Sequence, residues 1–233
     1  MVEERLGTGI SGLDEMLGGG MPKGHTVVVI GAFGTGKTTF SLQFVHEGLK
    51  QGESALFISL EEDEDSMVKN AMSYGLDLKP YISQNKLRLI KLEPSDAKAT
   101  VNKIKTDLPE FIRSFGATRI ALDSVSLFNM MFDDMPEKRK QLFNLYKLLK
   151  DTGATTLLTA EADLGNLRAS KDGLAEYVSD GVILLRYLEK DEIGEVQLSV
   201  QIVKMRRVKH SRRIKPYAIT DNGIIVQTEA EVF

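Results

Sequence analysis

The chain contains no cysteine, which excludes a disulfide framework, a zinc–thiolate centre and thiol nucleophilic catalysis together. Its three histidines, His25, His46 and His210, are scattered and leave little material for a histidine-based metal site. No apolar run approaches the roughly 20 residues of a membrane-spanning helix. The opening Met-Val-Glu-Glu-Arg lacks the basic start and apolar core of a secretory signal. These absences lead to the expectation of a cytoplasmic protein with no membrane partner. The formal net charge of −3 speaks against a surface built throughout for nucleic acid. No repeat, low-complexity tract or long linker divides the 233 residues, a length that suits one α/β domain over 1–233. Residues 1–24 form its glycine-rich opening segment and 25–233 its core. That opening segment reads either as a disordered tail or, from apolar Ile10, Leu13, Met16 and Leu17, as a short packed helix.

What is present is equally specific. Gly31-Ala32-Phe33-Gly34-Thr35-Gly36-Lys37-Thr38 fits the phosphate-loop pattern G-x-x-x-x-G-K-[ST]. An apolar, β-branched run over 26–30 enters it as a buried strand, and helical spacing of apolar residues follows over 39–45. Glycines let successive N–H groups and a helix N-terminus point at phosphate oxygens. Lys37 then reaches the β- and γ-phosphates, and the Thr38 hydroxyl reaches Mg²⁺. The expected ligands are a nucleoside triphosphate and Mg²⁺.

From this loop onward strand-like and helical runs alternate, which predicts a mostly parallel sheet flanked by helices. Strands are expected at 54–60, 87–92, 119–123 and 155–159, with helices at about 37–51, 63–74, 97–115 and 136–151. After 181 the pattern changes to antiparallel extensions at 181–188, 196–206 and 217–226, with Asp221-Asn222-Gly223 as a tight hairpin turn.

Other residues fit a nucleotide site. Ile120-Ala-Leu-Asp123 is an apolar strand ending in a carboxylate able to hold Mg²⁺. Glu61 and Glu62 stand just past the strand at 54–60, where ligands bind in open parallel sheets. They could orient or deprotonate an attacking water, or serve only as acids at a helix start. The stretch 204–215 carries seven Lys or Arg. A strand over 198–206 would turn Lys204 and Arg206 to one face and Arg207 to the other. That pair reads as cations for a neighbouring subunit's triphosphate, or as part of a solvated basic face.

Taken in order, the segment from Thr8 to Gly24, the phosphate loop, Ser59-Leu-Glu-Glu62, Leu122-Asp123-Ser124 and Lys204-Met-Arg-Arg-Val-Lys-His210 resemble the KaiC family of RecA-like ATPases over about 6–228. The resemblance implies a RecA-like P-loop NTPase fold that binds and hydrolyses ATP at subunit interfaces of a homohexamer. It implies Glu61, Glu62 and Lys37 as catalytic residues, and phosphate contacts from Gly34, Thr35, Gly36, Lys37, Thr38 and Thr39. Ser73 matches a contact within the same subunit. Lys204, Met205, Arg206, Val208 and His210 match the segment reaching the neighbour's nucleotide, with Thr220 and Asp221 as a further contact there. Val208 departs from the small polar residue of the pattern. Glu176-Tyr177 replaces the adjacent Ser and Thr acceptors of the self-phosphorylating domain, so autokinase activity is not expected. A regulatory role with an unidentified protein partner follows best. A recombinase-like DNA-binding ATPase, with nucleic acid as partner, and an ATP-binding scaffold that barely hydrolyses are the alternatives.

Overall fold

The structure, a computed structural model, describes residues 4–163, 165–190 and 195–232. Arg5–Leu6 (β1) pairs antiparallel with Met21–Pro22 (β2), with Leu13–Met16 (α1) between them. Thr26–Gly31 (β3) follows, then Lys37–Lys50 (α2), Ala55–Ser59 (β4), Glu64–Met72 (α3), Lys79–Ser83 (α4) and Leu87–Lys91 (β5). Next come Ala97–Phe115 (α5), Arg119–Asp123 (β6), Val125–Met130 (α6), Met135–Asp151 (α7) and Thr155–Asp163 (β7). Asn166–Ser170 (β8), Ala175–Val178 (α8), Gly181–Lys190 (β9), Glu195–Met205 (β10), Lys215–Thr220 (β11) and Gly223–Val226 (β12) complete the order.

The main sheet runs β12-β11-β10-β9-β3-β7-β6-β4-β5, with β8 paired to β7. Its members from β9 to β5 are parallel, and β10, β11 and β12 extend it antiparallel. This is the mixed α/β architecture, mostly parallel and flanked by helices, expected from the alternating pattern. Side chains alternate across the sheet with period two. Val27 and Val29 therefore join the core beneath α1, α2 and α3, while Val28 and Ile30 join the core beneath α5, α6 and α7. A strand buried on both faces reads as a near-continuous apolar run, and β3 is buried at all six positions, with Thr26 its one polar side chain.

The opening segment packs into the first of these cores through Ile10, Leu13, Met16 and Leu17. Asp14 closes it by accepting from the Thr8 N–H at 2.9 Å and the Thr8 hydroxyl at 2.7 Å. Arg5 donates to the Leu17 carbonyl at 2.6 Å.

Beyond shifts of a residue or two at element ends, two differences from the sequence expectation bear on the site. The strand begun at Thr155 continues to Asp163 and pairs with β8 in a hairpin that the pattern did not announce. The strand expected to reach 206 ends at Met205, and its register shifts between Ile202 and Lys204, so simple alternation fails there. Arg206 instead lies in the turn beyond the strand, followed by Arg207 at a φ of 65°. The last hairpin is β11 and β12, joined at Asp221–Asn222 with Thr220 facing Gly223.

Candidate functional site

The parallel strands deliver their carboxyl ends to one edge. There the loop between β3 and α2 lies next to the ends of β4, β6 and β7. Gly34 and Gly36 take φ values of 74° and 81°, the left-handed region a side chain disfavours. A Cβ at Gly36 would also come within 2.9 Å of the Ile219 side chain. Two phenols hold the loop, one from β11 and one from β9. Tyr217 donates to the Thr35 carbonyl at 2.7 Å and Tyr187 to the Phe33 carbonyl at 3.1 Å. With those carbonyls tied back, the loop remains free to present N–H groups to a phosphate.

The loop borders a cleft of about 340 Å³ lined by Gly34, Gly36, Lys37, Thr38, Glu61 and Asp123, with Tyr74, Glu161 and Ile219 among its other walls. The Lys37 ammonium donates to the Gly31 and Ala32 carbonyls at 3.0 and 2.9 Å. Burial lowers its pKa, opposed by the carboxylates of Asp123, Glu161 and Glu61. Asp123, nearly fully buried, accepts from the Thr38 hydroxyl at 2.7 Å and from the Thr159 hydroxyl. One carboxylate beside one hydroxyl is the oxygen donor set that suits Mg²⁺, whose remaining ligands are usually water and substrate phosphate. Among the described residues, no group of three or more His, Cys, Asp or Glu could hold a metal ion.

The adjacent carboxylates part company. Both Glu61 and Glu62 backbone N–H groups bind the Ser59 hydroxyl, at 3.1 and 2.8 Å. Glu61 lines the cleft, whereas Glu62 turns away and accepts from the Asn70 amide at 3.3 Å. Burial raises the Glu61 pKa, and the negative charges of Asp123 and Glu161 raise it further. A carboxyl held above its ordinary range is better matched to accepting a proton near neutrality.

Other sequence-derived positions lie differently. Thr35 is buried and donates to the Ala32 carbonyl at 2.8 Å, and Thr39 is buried beneath the loop. Ser73 is exposed and bonds back to the Asn70 carbonyl, while its neighbour Tyr74 faces the cleft. The turn at Thr220 and Asp221 sits close to Gly75, on the same side as Tyr74 and Ile219. Sequence reasoning missed Glu161, Tyr74, Tyr187, Tyr217 and Ile219.

The basic segment occupies the other end of the sheet. Met205 pairs with Gly181, which pairs with Val27 near the start of β3. β3 alone places it about 17 Å from the loop, at roughly 3.3 Å per residue. Lys204 is committed to its own chain, donating to the Glu176 and Ser179 carbonyls at 2.9 and 2.6 Å. Burial lowers its pKa, helped by Arg206. Arg206 keeps a half-exposed guanidinium, 3.7 Å from Asp180 and 3.4 Å from the Tyr177 carbonyl. Met205 is buried against Gly181, Val208 packs on the first core, and His210 contacts the Ser211 carbonyl at 2.9 Å. The same chain therefore holds a phosphate loop and a candidate trans cation that cannot meet each other.

Comparison with known proteins gives one consistent result. The family model described as ATPase: KaiC matches residues 6–231. The circadian clock oscillator protein KaiC of Prochlorococcus marinus subsp. pastoris is 34% identical across 97% of this chain, and that of Synechococcus elongatus 32% identical across 94%. The chain spans less than half the length of these two relatives, 45% and 43% respectively. A crystal structure of a KaiC-like protein from the hyperthermophilic archaeon Pyrococcus horikoshii superposes with a TM-score of 0.86 at 32% identity, covering 97% of this chain and 99% of that one.

Proposed function

The chain belongs to the KaiC ATPase family, and from that membership and the site's geometry we propose that it hydrolyses ATP at sites shared between neighbouring copies of itself. The observation that carries this reading is the division of the residues between two ends of one sheet. Lys37, Thr38, Glu61 and Asp123 line the cleft at the carboxyl edge, while Arg206 offers its guanidinium at the amino edge. A head-to-tail contact brings one copy's Arg206 to the next copy's cleft, and such contacts form a ring where the rotation between copies closes. Six copies is the ring size implied by resemblance.

In this reading the Lys37 ammonium leaves the Gly31 and Ala32 carbonyls for the phosphates. Thr38 and Asp123 hold Mg²⁺, which supplies charge neutralisation for the transferring phosphoryl group. Glu61 takes up the proton of the attacking water or orients it. Glu62, anchored by Asn70, fixes the backbone that presents Glu61. Tyr74 and Ile219 form apolar walls for the base, with Thr220 and Asp221 at the rim of the same copy's cleft. The nucleotide state of the ring then signals to a protein partner. Nucleic acid is not part of the proposal. Within the basic stretch, Lys204 binds its own chain's carbonyls and Lys215 turns inward to Ala230 and Glu231.

Steady-state phosphate release tests the chemistry. Glu61→Gln is expected to lose about 10²–10⁴-fold, the span of a general base, and Glu62→Gln considerably less. Equal rates for wild type and the Glu61→Gln, Glu62→Gln double variant would leave an ATP-binding scaffold instead. Particle mass with and without ATP tests the assembly.

A second expectation concerns pH. Glu61 acts deprotonated, so activity falls as pH drops through its raised pKa. Glu161→Gln removes one of the charges that raise it. The acid limb of kcat/KM should therefore move to lower pH in that variant, and a limb that stays in place would remove Glu161 from the account.

A further inference from the structure

Arg206 is held through its backbone and its side chain at once, and Asp180 takes part in both. The Arg206 N–H donates to the Asp180 carbonyl at 2.9 Å, and the Arg206 carbonyl meets the His25 ring at 3.1 Å. Its guanidinium lies 3.7 Å from the Asp180 carboxylate and donates to the Tyr177 carbonyl at 3.4 Å. We infer that Asp180 is a positioning residue for the reaction, its carboxylate aiming the Arg206 guanidinium outward while Lys150 keeps that hold loose. The inference rests on the shared-site reading above and names what orients the cation that one copy offers to the next.

Asp180 stands between α8 and β9 with its side chain 7% exposed. A carboxylate so buried needs donors, and each of its oxygens has two neighbours. Oδ2 accepts from the Thr26 N–H at 3.0 Å and from the Lys150 ammonium at 2.5 Å. Oδ1 accepts from the Tyr146 hydroxyl at 3.1 Å and faces Arg206. Burial alone would raise the Asp180 pKa, but the Lys150 and Thr26 hydrogen bonds outweigh it and hold it below the ordinary aspartate value. The group is therefore an anion near neutrality, and Lys150 is a closer counter-ion to it than Arg206. Lys150 is itself fixed by the Gly24 carbonyl at 2.7 Å. Thr26 is the first residue of β3, so this clamp is built on a buried strand.

That order of distances suits a cation meant for another site. A guanidinium paired bidentately with a carboxylate has to break that pair before it meets a phosphate. An arginine with no anchor spreads over many rotamers, and ordering it on arrival weakens the contact. At 3.7 Å from Asp180, beyond hydrogen-bond length, Arg206 escapes both faults. The negative charge and the Tyr177 carbonyl set its direction, yet the side chain stays 47% exposed. Charge aligned before the reaction needs it is what stabilises a transition state.

Asp180→Asn removes the charge and keeps the shape and one acceptor oxygen. Turnover should fall by about 10²-fold, the effect of roughly an ångström of misplacement, with binding of a fluorescent ATP analogue unchanged. Wild-type turnover overturns the inference. Because this variant leaves Lys150 without its partner, it is also made together with Lys150→Met. The pair should regain the wild-type Tm and keep the low turnover, whereas turnover regained along with Tm makes Asp180 a matter of folding and overturns the inference. In an Arg206→Ala background, Asp180→Asn should cause no further loss, since no guanidinium remains to be aimed. A further loss there overturns the inference. Mixing keeps this separate from the shared site. Where Arg206→Ala and Lys37→Ala chains complement each other, Asp180→Asn chains should regain activity with Lys37→Ala chains and not with Arg206→Ala chains. Recovery with Arg206→Ala chains, or with neither, overturns the inference. Where those two variants do not complement each other, the shared site alone is rejected, and the Arg206→Ala background still decides the role of Asp180.

Discussion

Arg206→Ala should lower ATP turnover by about 10³–10⁵-fold, the measure of a cation that meets the developing charge of a transferring phosphoryl group. That loss corresponds to roughly 4–7 kcal/mol of transition-state stabilisation. ATP affinity should change little, because Lys37 and the loop lie at the other end of the sheet from Arg206. The same position separates Arg206 from Lys204. Lys204 already donates to two carbonyls around α8, so Lys204→Ala acts first by loosening the segment from Glu176 to Ser179. Arg206 has, among the described residues, a 3.7 Å approach to Asp180 and a 3.4 Å bond to the Tyr177 carbonyl to relinquish.

Mixing identifies the direction of the effect. Arg206→Ala chains have intact loops, and Lys37→Ala chains have intact cations. If the site is shared, an Arg206→Ala loop beside a Lys37→Ala neighbour is complete. Random head-to-tail mixing at equal amounts should then restore about a quarter of the sites. Activity in the mixture no greater than the sum of the separate variants would place Arg206 outside the reaction.

Most of the cleft was legible because strand ends can be read from apolar runs. The run over 26–30 and the glycines after it located the loop, and the same logic located Asp123 and Glu61. Glu161 obeys that logic as well and was missed for a specific reason. The β-branched run from Thr155 gives way at Ala160, where the pattern predicts the strand's end, yet β7 carries on to Asp163. The fate of Glu62 was not readable, since it depends on Asn70 a helix turn and more away in α3. Alternation placed Lys204 and Arg206 on one face of a strand. They do converge on the segment 176–179, but through a register shift and a turn that period-two reasoning omits. Tyr187 and Tyr217 could not have been found from spacing. Their partners lie 154 and 182 residues away in the chain, and only the pairing order of the sheet brings them to the loop.

Arg119→Ala should cost about 3–5 kcal/mol of stability, the usual result of removing one member of a buried ion pair. Arg119 opens β6 with no exposed surface. Its guanidinium bonds Glu53 at 2.8 and 3.1 Å, the Gly7 carbonyl at 2.6 Å and the Phe44 carbonyl at 3.0 Å. It also lies 4.9 Å from the centre of the Phe44 ring. One side chain thereby ties the opening segment, α2 and the sheet together, so its loss should release residues before the phosphate loop as well as lower Tm. For a chain of this size the shift is roughly 6–20 °C. Glu53 supplies a pH signature with a fixed sign. Burial pushes its pKa up, but the Arg119 and Thr118 hydrogen bonds outweigh this and hold it below the ordinary glutamate value. Its contribution is present above the unfolded-state pKa and is lost as pH falls through the lower folded-state pKa. That acid-side loss should shrink in Arg119→Ala, which keeps the Thr118 hydrogen bond. Gly48 gives the sharper check, because a Cβ there would lie 2.3 Å from Arg119 Nε. An alanine ordinarily gains up to about 1 kcal/mol over glycine in a helix interior, and Gly48 lies in the last turn of α2. Gly48→Ala should nevertheless destabilise the wild type and become neutral or stabilising once Arg119 is alanine. Thermal unfolding of the four proteins in this cycle reads the reversal directly, and strictly additive effects would show that Arg119 does not fill the space against α2.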